Sequence, residues 1–159
     1  MPVDKKQMIA ALIDSLKEDH RVVCDAARHA YDTATHEENR AENKYDTRGL
    51  EASYLARAQG RRAADLESMI HFYQNYEAPD HGENDPIGAG ALVTLETEDE
   101  DRVVFMAPRG NGGSLNMAGR KIWIVTANSP LGRALTGKEF GDSVRIGDPP
   151  REWEIVGLQ

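Results

Sequence analysis

Lys121-Ile-Trp-Ile-Val-Thr-Ala-Asn-Ser-Pro-Leu-Gly-Arg-Ala-Leu-Thr-Gly-Lys-Glu-Phe-Gly-Asp-Ser-Val144 is the stretch that decides the fold. Ile122 to Val125 is a short apolar run of β-formers, which predicts a buried strand. Ser129 is suited to cap a helix, with Pro130 at its first position and Gly137 just past its end. Gly141-Asp142 then turns the chain into a further strand, Ser143 to Ile146. Strand, capped helical turn, glycine turn and strand make the centre of a compact α+β unit.

Working outward, residues 152–157 read as the last strand. Upstream, Ala91 to Glu96 alternates with a period of two, and Val103-Val104-Phe105-Met106 is a second apolar run. The acidic turn Glu98 to Asp101 between them predicts a hairpin. Gly110-Asn-Gly-Gly113 lacks the lysine and helix-opening context of a phosphate loop, so it reads as a flexible turn. Residues 78–86 are polar, with two prolines and one glycine, and read as a linker.

Before the linker the period changes. Residues 4–77 contain no proline and are rich in Ala, Glu, Lys, Arg and Leu, which favour helix. Ile9, Ile13, Leu16, His20, Val23, Ala27, Ala30 and Ala34 recur at steps of four and three, the seam of a coiled coil. A second helix is expected from about Arg48 to about Tyr76, with Leu55, Ala58, Leu66, Met69, Ile70 and Tyr73 on its seam. The polar stretch Thr35 to Thr47 separates the two. Two helices joined by a short turn pack antiparallel, and each arm would extend roughly 45 Å at ~1.5 Å per residue. Near the base Ile9, Ile13 and Leu16 would face Leu66, Ile70 and Tyr73. Toward the tip Ala27, Ala30 and Ala34 would face Ala52, Leu55 and Ala56, giving a thin distal rod. The expected organisation is a coiled-coil hairpin over residues 1–77, a linker over 78–86 and a β-sheet domain with a short helix over 87–159.

Composition narrows the function classes. A formal net charge of −8 disfavours avid duplex-DNA binding and suits protein partners or carboxylate chemistry. Cys24 is the only cysteine, which excludes an internal disulfide and fits a reducing cytoplasm. The N-terminus lacks the apolar core of a signal peptide, and no run reaches the ~18 apolar residues of a membrane span.

The order around Ser129-Pro130, Gly137-Lys138 and Gly141-Asp142 resembles the C-terminal domain of the GreA/GreB transcription elongation factors. The resemblance covers nearly the whole chain. It implies an FKBP-like C-terminal domain that docks on bacterial RNA polymerase and aims the hairpin into the secondary channel. It further implies a cytoplasmic monomer that meets nucleic acid only through the elongation complex. Such a protein is no enzyme alone; at most it stimulates the polymerase's own RNA cleavage. The polymerase-binding loop would be Thr126, Asn128, Ser129 and Pro130. In the family this loop is of the type Ser-x-Asp-Ser-Pro, so Asn128 replaces an acid and weakens a charge-assisted bond to a basic partner group.

The hairpin tip reads Thr35-His-Glu-Glu-Asn-Arg-Ala-Glu-Asn-Lys-Tyr-Asp-Thr-Arg48. Glu38 and Glu42, spaced i,i+4, share a face on a helix; Glu37 and Asp46 are a second tier. The resemblance implies that tip acids hold Mg²⁺, bound not by this chain alone but within the polymerase complex, through hard oxygen ligands. The family motif is Asp-Leu-Lys-Glu-Asn-Ala-Glu-Tyr-like. Aligned on Tyr45, Glu38 keeps the first acid and Ala41 takes the place of the second. Aligned on Glu42-Asn43, Glu42 keeps the second and Asn39 takes the place of the first. Three readings stay open: a metal-holding tip, a solvated turn whose acids pair with Arg40, Lys44 and Arg48, and a tip that acts by occupying space.

Arg57 and Arg61 form a basic pair on the second helix, either RNA-proximal or simply a solvated face. His20, His29 and His36 lack the spacing of a zinc site. Cys24 has no evident neighbouring base and reads as inert. Trp123 and Trp153 read as core. Two other function classes stand beside the first. A peptidyl-prolyl isomerase would need Phe105, Trp123, Phe140 and Trp153 to line a pocket. A structural adaptor or non-cleaving relative, such as the nucleoside diphosphate kinase regulator group, would have a shorter hairpin.

Overall fold

The computed structural model describes residues 2–40 and 48–159. The chain divides into two compact units, Ile13–Asn75 and Met1–Leu12 with Tyr76–Gln159.

The helical unit holds most of α1 (Lys5–Arg40, 36 residues) and α2 (Arg48–Gln74, 27 residues). On α1, Leu16, Val23, Ala30 and Ala34 are buried, and Ile13, His20 and Ala27 are half-buried, as the four-three seam requires. On α2, Leu66 and Tyr73 are buried. Asp19, Val22, Val23 and Ala26 share a shallow groove with Gln59 and Arg62 midway along the two helices, and α2 starts so soon after α1 ends that helices in contact there run antiparallel.

The distal seam of α2 differs from its expected course. Leu55 is 53% exposed, and Ala58 is exposed as well. The half-buried positions are Ser53, Ala56, Gln59 and Ala63. Counting back from Leu66 in helical steps reaches these four residues; Leu55 stands about 100° around the helix from Ala56. The bulky base residues set the rotation of α2, and one distal leucine does not reverse it. The helix α1 also continues through Thr35–Arg40. Polarity alone does not end a helix, and that stretch contains neither proline nor glycine.

The other unit is a six-stranded sheet. Its strands are β1 (Leu92–Glu96), β2 (Asp101–Met106), β3 (Ser114–Met117), β4 (Arg120–Val125), β5 (Ser143–Ile146) and β6 (Arg151–Leu158), with α3 (Pro130–Leu135) between β4 and β5. They lie in the order β3-β4-β2-β1-β6-β5. All neighbours are antiparallel except β2 and β4. The strand β3 was not foreseen. It has only Leu115 and Met117 as apolar residues, and pairing with β4, with Leu115 opposite Ile122, makes it a strand.

Register assigns the two faces. One carries Val93, Leu95, Val104, Met106, Trp153 and Ile155, and Leu131 and Leu135 of α3 close over it. The other carries Leu92, Val103, Phe105, Leu115, Ile122 and Ile124, all buried. Pro2 and Val3 approach it beside Leu92, Val103 and Gly157 around a cavity of about 150 Å³. Burying each such side chain stabilises by about 1.5–3 kcal/mol.

Asp4 begins α1, its Oδ1 accepting from the N–H groups of Lys6 and Gln7 at 2.8 and 3.2 Å, an N-cap arrangement. Within this unit the 78–86 stretch is tied down: the Lys5 ammonium donates to the Pro79 carbonyl at 2.7 Å. Burial lowers the Lys5 pKa, with Asp80 acting in the opposite direction, and raises that of Tyr76. Gly90, at φ +87°, leaves the space that Pro79 and the Tyr76 hydroxyl occupy; a Cβ there would stand 2.5 and 2.6 Å from them.

At the β4 N-terminal end of the sheet, cations and indoles alternate. The Lys121 Nζ lies 4.0 Å from the Trp123 ring centre. The Arg102 guanidinium lies 5.5 Å from Trp123 and 4.6 Å from Trp153, and Arg151 lies 6.0 Å from Trp153. Arg102 also pairs with Glu100 at 3.2 Å. Trp123 is therefore half-buried under cations rather than a full core residue. Arg102→Ala removes the central rung and is expected to cost about 1–2 kcal/mol, from two cation–π contacts and a half-exposed ion pair. Thermal unfolding of Arg102→Ala beside Arg102→Lys checks this; equal midpoints for the wild type and both variants would deny the ladder any role in stability.

Candidate functional site

The loop Thr126–Pro130 leaves the C-terminal end of β4 and enters α3. Ser129 caps the helix in extended backbone (φ −72°, ψ 157°). Its Oγ accepts from the Gly132 N–H at 3.0 Å and donates to the Thr126 carbonyl at 2.7 Å. The Ser129 N–H reaches the same carbonyl at 3.1 Å. Arg133 reaches back from α3, its Nη1 donating to the Asn128 carbonyl at 2.7 Å. Gly132 lies so close beneath the loop that an added Cβ would stand 1.8 Å from the Thr126 oxygen. Both carbonyls are thus held toward the helix, while Ala127, Asn128 and Pro130 are exposed. All four residues named from the sequence fall in this one turn. Arg133 and Gly132, which hold it, were not named.

A loop like this is preformed: its backbone is ordered by the cap, so a partner would gain contacts without much ordering cost. Its exposed groups are an amide and a pyrrolidine, with no ionisable side chain between Thr126 and Pro130. It can recognise by hydrogen bonding and shape, not by acid–base chemistry.

The tip residues are placed only in part. Glu37 and Glu38 fall in the final turn of α1, while Glu42 and Asp46 lie outside the described residues. Among the described residues no three His, Cys, Asp or Glu side chains are grouped to hold a metal ion. Arg57 and Arg61 are exposed on α2. They share a stripe with the exposed Leu50 and Tyr54, and the Arg57 guanidinium lies 5.9 Å from the Tyr54 ring centre. Cys24 does have a base beside it: the His20 ring is 3.6 Å from its sulfur, one helical turn away.

The four aromatic residues of the isomerase reading do not converge. Phe105 and Trp153 are buried on opposite faces of the sheet, and Phe140 is 42% exposed. Among the described residues, no helix is long and apolar enough to cross a membrane.

No protein-family model matches the chain. A 102-residue stretch is 35% identical to transcription elongation factor GreA of Xanthomonas axonopodis, covering 61% of this chain and 60% of that protein. The chain thus spans about three fifths of that relative's length. GreA of Agrobacterium fabrum is 29% identical over 134 residues, 69% of this chain and 80% of that protein. Among solved structures, the GreA factor homolog Gfh1 of Thermus thermophilus is 21% identical, with a TM-score of 0.39 over 92% of this chain and 94% of that one.

Proposed function

We propose that the chain is a transcription elongation factor of the GreA/GreB family, which docks on bacterial RNA polymerase through Thr126, Asn128, Ser129 and Pro130 and inserts its hairpin into the secondary channel, a reading supported by its likeness to the GreA proteins. On this reading it acts as a transcription factor rather than as an enzyme in its own right. The observation that carries the docking reading is the preformed, exposed loop at the matching place in the sequence.

In that complex Glu38 and Glu42 would offer carboxylate oxygens to a Mg²⁺ shared with the polymerase, a donor type suited to that ion. Glu37 and Asp46 stand in reserve. Bound Mg²⁺ would supply electrostatic stabilisation for cleavage of backtracked RNA. Arg57 and Arg61, with Tyr54 between helical turns, are the groups suited to RNA: phosphates to the guanidiniums and a base to the ring. A second reading is favoured by one observation. Neither register of the tip keeps both family acids, so the protein would then regulate by occupying the channel without promoting cleavage.

RNA 3′-end shortening on backtracked complexes of the cognate polymerase separates these readings. Wild type is compared with Glu38→Ala/Glu42→Ala and with Asn128→Ala/Pro130→Ala. Shortening that falls at least about 100-fold in the tip variant, the loss typical of removing a key electrostatic group, supports the cleavage role. Absence of shortening by bound wild type leaves the channel-occupying role. Undiminished polymerase binding by the loop variant would refute the docking site.

A further inference from the structure

We propose that Arg133 is a positioning residue for the docking loop: it sets the presentation of Asn128 and Pro130 without touching the partner itself. The inference rests on the docking reading above and deepens it. Arg133 carries the only charge between Thr126 and Gly137. Its side chain does not run along α3 to a neighbour one turn away. It reaches five residues back, past the cap, to the Asn128 carbonyl at 2.7 Å.

That carbonyl is where the loop lacks another hold. At Thr126 the carbonyl accepts from both the Ser129 N–H and the Ser129 Oγ. The cap proper, Ser129, is fixed by Gly132 and by the Arg133 N–H, which donates to the Ser129 carbonyl at 2.8 Å. Asn128 lies between these two points, and its carbonyl is bound by the guanidinium alone among the hydrogen bonds of the described residues. A charged donor to a carbonyl makes a short, strong bond. With it, the peptide after Asn128 is turned toward α3 and the Asn128 side chain outward. Without it, that peptide is held only at its other end, by the Ser129 N–H at 3.1 Å from the Thr126 oxygen, and the partner must complete its ordering on binding.

The test uses the full chain, purified cognate RNA polymerase and the variants Arg133→Ala and Arg133→Lys. Arg133→Ala is expected to bind roughly tenfold more weakly, the scale of one charge-assisted hydrogen bond. Its thermal midpoint stays at the wild-type value, because Arg133 is exposed. In the free protein, amide exchange at Ser129 quickens. Arg133→Lys recovers much of the affinity and the protection, since an ammonium donates to the same carbonyl.

Unchanged affinity in Arg133→Ala overturns the proposal. So does weaker affinity with Ser129 exchange unaltered in the free protein, which would make Arg133 a direct contact. The Asn128→Ala/Pro130→Ala variant tells the two levels apart. If it binds like wild type, the docking reading falls and this inference with it. If it fails to bind while Arg133→Ala binds normally, only the positioning role falls.

Discussion

Gly132→Ala is expected to lower the thermal midpoint of the sheet unit by about 10 °C or more, for a cost of about 3 kcal/mol. The added Cβ would stand 1.8 Å from the Thr126 oxygen, 2.7 Å from its carbonyl carbon and 2.9 Å from the Ser129 Oγ. Two of these are backbone atoms, so no rotamer change relieves the overlap. One escape is for α3 to lift from the sheet, exposing Leu131 and Leu135, which contribute about 1.5–3 kcal/mol each when buried. The other is for the loop to move out, breaking the two hydrogen bonds of Ser129. Either displaces the proposed docking surface, so on that reading polymerase affinity falls with stability. Calorimetry together with a polymerase-binding assay checks both. A midpoint within a degree of wild type would mean that loop and helix yield freely, and the preformed-loop argument would fail.

Ala30→Leu should act on the other unit alone. Ala30 is 5% exposed in the α1 seam, beside Ala34 at 4% and Val23 at 6%. Three extra carbons there force the helices apart, at a cost of about 1–3 kcal/mol. The distal arm depends on alanines for close approach of the helix axes, so it loses both stability and slimness. Both tryptophans, Trp123 and Trp153, lie in the sheet unit, and their near-ultraviolet dichroism should be unchanged. Helical dichroism should show earlier melting of the hairpin, and any channel-dependent effect on the polymerase should be reduced. Full function in Ala30→Leu would show that the width of the arm does not limit entry.

Much of this architecture is legible in the sequence. The seam of α1 is visible because it is long and strictly periodic, and seven apolar positions outvote the interruption at His20. The cap at Ser129-Pro130 was visible because local chemistry alone determines it: a hydroxyl, a ring that fixes φ, and a glycine after the helix. The distal seam of α2 was misjudged for the opposite reason. Between Ser53 and Ala63 the apolar residues are few, and the rotation of the helix is inherited from Leu66 and Tyr73. The strand β3 had no pattern of its own and owes its existence to the free edge of β4.

The candidate site divides in the same way. Its position, Thr126 to Pro130, was readable from residue order. The groups that hold it were not. Arg133 acts across five residues against the usual helical spacing, and the need for Gly132 appears only when the Thr126 carbonyl is placed above it. The cation–indole ladder joins Lys121 and Trp123 of β4, Arg102 of β2, and Trp153 and Arg151 of β6, residues that only sheet pairing brings together. The sequence by itself determined the two long helices, the cap and every strand but β3, because those depend on periodicity and on interactions within a few residues. Tertiary structure decided helix rotation and strand pairing, because these depend on atoms that meet only after distant segments pack; the hold on the Thr126–Pro130 loop is local, but it runs through backbone carbonyls that no pattern of side chains reveals.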